Sequence, residues 1–452
     1  MNETTQAAGP GPLLDGVPAR PAVPAAAPPV VGAPAARRGR ELAAVFARLF
    51  TAFTGRALGR YQAAAVRIGF GLVWLAYLVR EWPNRRMLYG DTSPWSLDLA
   101  ERLLADNGAL TVLPWFGGRL WFELVYHLAV LSAAALLLGW RTRASGVLFL
   151  VTVLSLQNRN VFLGDGGDNV VHLMAVYLVF TRCAEVWSLD ARRPAAGRGG
   201  VLLWAVLGGL LLVCQLGDFS GESLTWTAAA FPYVGWAPVF WGLWAVAGVW
   251  WLLGRLRPDG ELRAVLDALA AMVHNCAMLV IAAEVVLIYA TAGWYKVQGS
   301  RWQDGTALYY PLHLDYFTPW PGLSGLVASA LLPVFLISYG TVVLQVAFPF
   351  TLVSRRVKNA LLVVMMAEHL GIAVLLGLPV FSLAMVAADA VFLPTGALRW
   401  VAARVAGAGR WIGLPRLRRP AVPAPAGPPA ASPAAPLMDS PPPAAGGAAP
   451  LS

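Results

Sequence analysis

The chain has 452 residues, of which 58% are hydrophobic and 13% charged, and it carries a formal net charge of +10. Soluble domains hold roughly 25% charged residues, so this composition cannot coat a water-facing surface, and it is too apolar for a chain disordered throughout. A multi-pass membrane protein remains.

Residues 1–40 are rich in Ala and Pro and end with Arg37, Arg38 and Arg40. No apolar run opens before Tyr61, which argues against a cleavable leader. The composition predicts a disordered tail. Residues 41–60 (ELAAVFARLFTAFTGRALGR) pattern as a basic amphipathic helix on the membrane surface. Ten apolar segments follow: 62–79, 120–139, 144–161, 168–186, 201–216, 231–253, 272–293, 331–353, 359–377 and 379–397. Most approach the length needed to cross a hydrocarbon core of about 30 Å. Residues 412–452 form a second Pro/Ala/Gly tail, with Pro441, Pro442 and Pro443 in succession. The expected fold class is all-α: a multi-pass transmembrane helical bundle of about ten spans in the cell membrane, with the lipid bilayer around it.

Basic residues alternate along this order. With the N-terminus in the cytoplasm, the inside segments hold Arg56 and Arg60, Arg141 and Arg143, Arg182 and Arg192, Arg255 and Arg263, Arg355 and Lys358, then Arg399 and Arg404. The short outside loops hold few, namely Arg159, Lys296 and Arg301. The long loop 80–119 departs from the pattern, as long loops do. The alternation puts both termini in the cytoplasm, and it explains the basic charge by topology. No basic patch with interleaved aromatics calls for nucleic acid. Cys183, Cys214 and Cys276 show no CxxC spacing, so neither a disulfide framework nor a Cys-type zinc site is expected.

Charged groups at membrane depth cost several kcal/mol and mark interior or functional positions. Arg67 lies in the first span and needs an acid or backbone carbonyls. The stretch 155–169 (SLQNRNVFLGDGGDN) is densely polar between apolar segments. Asp165 and Asp168 are within sequence reach of Arg159. Asp168 and His172 are four apart, on one helical face, where a carboxylate can orient an imidazole. Equally, Asp168 or Asn169 can cap the helix start. These acids and His172 have the donor types for a metal, but no second His–acid cluster completes a set. Lys296 ends the seventh span, with Ala292 and Tyr289 on its face. Gly293 permits close helix approach. A lysine here either snorkels to the interface or serves as a base. Glu368 and His369 in the ninth span and Asp389 in the tenth suggest proton handling, or helix-to-helix hydrogen bonds.

Five stretches together resemble a known family: LLLGWRTRASGV (136–147), SLQNRNVFLGDGGDN (155–169), WSLDARR (187–193), YATAGWYKVQGSRWQDGTALYY (289–310) and EHLGIAVLLGLPVFSLAMVAADAVFL (368–393). They resemble the horizontally transferred transmembrane (HTTM) domain, over about residues 60–397. That family includes the vitamin K-dependent γ-glutamyl carboxylase and the sporulation-delaying protein B group. The carboxylase uses a lysine base on reduced vitamin K. The base lies in a Gly-x-x-Lys stretch followed by Trp-x-x-Gly, which Gly293–Lys296 and Trp302–Gly305 match.

The resemblance carries over Lys296 as the one catalytic residue and matches His369 to a histidine of the family's later helical motif; Asp168 and His172 are candidate catalytic residues by their helical spacing. Arg159, Asn160, Trp302 and Tyr289 are candidate contacts to a cofactor, which the resemblance suggests is a reduced quinone. The family's histidine ahead of its Trp-Ser-x-Asp stretch has no counterpart at its spacing; Asp168 and Asn169 lie near that point and His172 is offset. Residues 201–253 read as an extra helical hairpin. Three activities stay open: quinol-dependent chemistry with Lys296 as base, a non-enzymatic partner in maturation, export or immunity of a secreted peptide, and proton-coupled transport through His369 or Asp389.

Overall fold

A computed structural model describes residues 34–107, 109–192, 198–217, 224–226 and 232–411. Most of both expected tails, 1–33 and 412–452, lies outside these residues. One compact unit reaches to Ala52 and the other begins at Phe53.

The first unit is the greater part of helix α1, Pro34–Gly55. It begins inside the stretch expected as tail and ends five residues short of 60. Leu42, Val45, Phe46, Leu49 and Phe50 are exposed and recur at the three- and four-residue spacing of one helical face.

The second unit continues with α2 (Arg60–Glu81), α3 (Arg85–Tyr89), α4 (Leu97–Asn107), α5 (Arg119–Leu138), α6 (Thr142–Arg159), α7 (Gly166–Val179) and α8 (Arg198–Leu216). Two short strands follow, β1 (Leu224–Trp226) and β2 (Pro232–Val234), then α9 (Trp236–Leu256), α10 (Glu261–Gln298), α11 (Ser300–Gln303), α12 (Pro321–Ala328), α13 (Leu331–Thr351), α14 (Arg355–Leu375), α15 (Pro379–Asp389) and α16 (Thr395–Trp411). The strands pair antiparallel, Leu224 opposite Val234 and Trp226 opposite Pro232. The fold is otherwise helical.

Among the described residues, seven helical stretches are long and apolar enough to cross a membrane: Arg60–Tyr89, Arg119–Leu138, Gly199–Leu216, Ala237–Leu256, Glu261–Gln298, Leu331–Thr351 and Arg355–Leu375. The expectation of about ten therefore exceeds the clear spans by α6, α7 and α15. The reasons are local. Residues 180–186 form bends rather than continuing α7. Pro394 lacks an N–H and disfavours helix at the residue before it, so α15 gives way to a single 3-10 turn over Ala390–Phe392. At 1.5 Å per residue, α7 and α15 extend only about 21 and 16 Å. Helix α6 has 18 residues, but it carries a polar run from Ser155 to Arg159.

These three helices are interior. Ser155 is fully buried, its hydroxyl donating to Val151 O at 2.6 Å and accepting from Val112 N at 3.1 Å. Ser155, which would face lipid unfavourably in a lone span, is thus satisfied inside the bundle.

Basic side chains join helix ends at one end of the bundle. Arg60 pairs with Glu185 at 3.7 Å, and Arg399 lies 4.7 Å over the Tyr61 ring. Arg143 and Arg263 lie 5.2 and 4.7 Å over Trp250. His274 and Asn275, neither singled out above, clamp the α1–α2 connection. Asn275 donates to Phe53 O and Arg56 O and accepts from Leu58 N, while His274 bridges Arg182 N and Leu58 O. The starts of α2, α6 and α10 thereby meet the ends of α7 and α9.

The hairpin expected at 201–253 is present as α8 and α9, with 218–223 and 227–231 outside the described residues. Trp204 and Trp244 stack at 4.0 Å. Each indole N–H donates to the other residue's carbonyl, at 2.9 and 2.8 Å. Gly208 and Gly248 make room: a Cβ on either would come within 2.7 Å of the facing indole. We expect Gly208→Leu to unseat this lock at a local cost of about 2 kcal/mol, typical of overpacking. Few hairpin residues are buried, so hydrogen exchange should quicken across 198–256 while the overall unfolding midpoint barely moves. Unchanged exchange there would count against the lock.

Candidate functional site

Helix α10 is 38 residues long, about 57 Å, and its last turns lie at the end opposite Arg263. Gly293 lies there, where α13 comes close; a Cβ would meet Val346 Cγ2 at 3.0 Å and Val346 N at 3.1 Å. This approach brings Gln345 beside Lys296. The half-buried Lys296 donates from Nζ to Gln345 Oε1 at 2.9 Å. Gln345, buried, donates from Nε2 to Glu368 Oε1 at 3.4 Å. The amide suits both neighbours, its oxygen toward the cation and its NH2 toward the carboxylate. Lys296 Nζ also lies 5.2 Å over the Trp302 ring, within cation–π range.

Two turns earlier on the same face, about 10 Å along the axis, stands Tyr289. It is 2% exposed. Its hydroxyl is 3.0 Å from His369 Nε2 and donates to Asp389 Oδ2 at 3.0 Å. His369 is 2% and Asp389 0% exposed. Helices α10, α14 and α15 thus supply one hydrogen-bonded triad. Its neighbour in sequence, Glu368, ends the Lys296 chain. The triad joins residues that sequence reading flagged separately. Gln345 was missed, although a lone amide within LLPVFLISYGTVVLQVAFPFT meets the same test of polarity at membrane depth as Lys296 and His369.

The remaining candidates lie elsewhere. Asp165, not Asp168 or Asn169, is the N-cap of α7: its Oδ1 accepts from Gly167 N at 2.6 Å and Asp168 N at 3.1 Å. Asp168 reciprocates, accepting from Asp165 N at 2.9 Å, which completes a capping box. Among the described residues, no hydrogen bond or ion pair joins Asp168 to His172. Arg159 does not reach Asp165 or Asp168. It is buried under loop 80–119 and donates to Trp95 O at 2.9 Å. Asn160 donates to Leu88 O at 2.9 Å. These two residues pin that loop to the end of α6. Arg67 finds carbonyls rather than an acid. Among the described residues, no three His, Cys, Asp or Glu side chains gather as a metal set.

Trp302 is held by a compact turn. Trp302 N donates to Gly299 O at 3.0 Å. Asp304 Oδ1 accepts from Thr306 N at 2.9 Å and Thr306 Oγ1 at 2.5 Å. The Thr306 hydroxyl and amide hold the Asp304 carboxyl below its ordinary value. A depressed folded pKa means stabilisation that is present above the unfolded value, about 3.9, and lost as pH falls through the folded one. Acidification below pH 4 should therefore loosen 299–306. Amide exchange, corrected for intrinsic rates, should rise there in the native protein but change little in Asp304→Asn, which cannot titrate. Equal responses would remove Asp304 as the cause.

Comparison with known proteins finds no matching family, no matching curated protein and no matching solved structure.

Proposed function

We propose that this multi-pass integral membrane protein performs acid–base chemistry on a lipid-soluble quinol, with Lys296 as the base. The observation that carries the reading is the Lys296–Gln345–Glu368 chain beside Trp302, in the last turns of α10. The likeness of 293–305 to the HTTM lysine stretch supports it. We further propose that α6, α7 and α15 cross inside the bundle, giving ten passes with both ends of the spanning region on the cytoplasmic side.

The residues present suit an aromatic diol. Trp302 offers a flat apolar face, and Lys296 can meet a hydroxyl. A reduced quinone, when bound, supplies the reducing electrons for a reaction with oxygen. Neutral Lys296 accepts a hydroxyl proton on its lone pair, while Gln345 Oε1 holds one of its N–H bonds and so aims the amine. The ammonium formed is favoured by the Trp302 π-face and by Glu368 beyond Gln345, charges and dipoles already in place before the proton moves. Trp302 and Gln345 of α13 flank the amine.

The test is epoxide formation from a reduced naphthoquinone and oxygen, with water as co-product, by lipid-reconstituted protein. Mass spectrometry should show the epoxide with the native chain and a loss of about 10²–10⁴-fold with Lys296→Ala, the usual range for removing a general base. Epoxide unaffected by Lys296→Ala would refute the base assignment. No epoxide from well-folded native protein would turn the reading to a peptide-partner role, with Lys296 as an interface anchor.

A further inference from the structure

The Tyr289 triad has a directional hydrogen-bond pattern. With Asp389 as a carboxylate, the one proton of the Tyr289 hydroxyl goes to Asp389 Oδ2. Its oxygen is then an acceptor, so His369 Nε2, 3.0 Å away, must be the donor. The imidazole is thereby set as the Nε2–H tautomer, and its Nδ1 carries a lone pair. That Nδ1 is buried and has no hydrogen-bond partner, and the same holds for Asp389 Oδ1 and Ser382 Oγ. Ser382 and Asp389 lie two turns apart on one face of α15. The Phe381 ring, next to Ser382, contacts His369 at 5.6 Å. Buried polar atoms of this kind mark places where internal water or a mobile proton completes the network.

We infer that Asp389, Tyr289 and His369 form a proton relay that stores one proton delivered by internal water at His369 Nδ1. The transfer balances. A hydronium proton bonds to Nδ1 and leaves water. The Nε2 proton passes to the Tyr289 oxygen, and the Tyr289 proton passes to Asp389 Oδ2. Imidazole and phenol end neutral, with the ring now the Nδ1–H tautomer. Only Asp389 changes charge, from carboxylate to acid. A buried carboxylate in hydrocarbon is costly, so its neutralisation is the event that drives uptake.

Ionisable neighbours on the packed helices define the setting. Helix α10 adds Glu284 and Lys296, and α14 adds Glu368 beside His369. Helix α2 has Arg67 and Tyr77, with Arg67 engaged by backbone carbonyls and Tyr77 by Tyr89. Helix α7 has Asp168, engaged by Asp165 N, together with His172 and Tyr177. The relay does not require Lys296 to act as a base, so it stands or falls separately from that reading.

The experiment is nitrogen NMR of the full chain in nanodiscs with 15N-labelled histidine, the His369 signals being identified by their loss in His369→Gln. On acidification we expect His369 to convert from Nε2–H to Nδ1–H without becoming imidazolium. Asp389→Asn keeps an acceptor for Tyr289 but cannot take the proton, and should abolish the conversion. Infrared spectra of the native chain with 13C-labelled aspartate give a readout that needs no variant: an aspartate carboxylate should become a carboxylic acid at the same midpoint as the tautomer change. A ring that stays Nε2–H, a ring that becomes imidazolium, or separate midpoints would each overturn the relay. So would an Asp389→Asn protein that still converts.

Discussion

Arg67→Met should destabilise this protein by about 3–5 kcal/mol, because several buried carbonyls lose a donor at about 1–3 kcal/mol each. The guanidinium is 0% exposed. It donates from Nε to Cys183 O at 3.2 Å, from Nη1 to Leu136 O and to Leu137 O at 2.8 Å, and from Nη2 to Trp187 O at 2.8 Å. Two of those carbonyls end α5, and the others belong to the segment after α7. One side chain thus holds three parts of the bundle.

Leu136 O also accepts from Gly139 N at 3.1 Å, so the loss falls on the other three carbonyls. Gly139, the C-cap of α5, has φ +66°, a left-handed conformation that suits glycine. A Cβ there would approach Ser188 Cβ to 2.4 Å and Arg67 Nη1 to 3.0 Å. Methionine would fill the volume but leave the carbonyls without Arg67's donors, each at about 1–3 kcal/mol if it finds no other. Arg67→Lys should recover only part, because an ammonium lacks the planar fork that serves separated carbonyls together. Unfolding midpoints in detergent or lipid would show both losses. An Arg67→Met chain within 1 kcal/mol of native would mean that water or relaxation replaces the guanidinium.

Tyr289→Phe should cost about 3 kcal/mol, well beyond an ordinary loss of one hydroxyl. The hydroxyl serves two buried partners, His369 Nε2 and Asp389 Oδ2. Removing it leaves both unpaired, at about 1–3 kcal/mol each. The ring would keep its place against Phe348, whose centroid is 5.2 Å away, so the loss is polar rather than steric. Asp389→Asn, which keeps an acceptor for the hydroxyl, should cost clearly less. A double-mutant cycle of Tyr289→Phe with Asp389→Ala, which removes the acceptor, measures the coupling directly. Additive effects would deny the hydrogen bond energetic weight.

These residues also separate what was readable along the chain from what was not. The polar exceptions stood out, because a charge or amide in hydrocarbon conflicts with its surroundings at once. Arg67, Lys296, Glu368, His369 and Asp389 were flagged on that ground, and the same rule would have caught Gln345 and the His274–Asn275 pair. Their partners were another matter. Asp168 and His172 sit at ideal helical spacing, yet the α7 start uses Asp168 for its capping box, since the free backbone amides of a helix start are the nearer demand. Arg159 lay close in sequence to two acids and went to loop carbonyls far along the chain.

The sequence by itself determined that this is an apolar, helical, membrane-type chain and flagged Arg67, Lys296, Glu368, His369 and Asp389 as polar exceptions; of the ten apolar segments it marked, seven are helices long and apolar enough to cross a membrane. Composition and periodicity suffice for that, because every residue must match the solvent its face meets. Only the tertiary structure decided that α6, α7 and α15 are short interior helices, that Gly293 admits Gln345 to Lys296, and that Tyr289 joins His369 to Asp389. Hydrogen bonds between residues 80 to 100 positions apart depend on which helices pack together, and spacing along one helix carries no record of that choice.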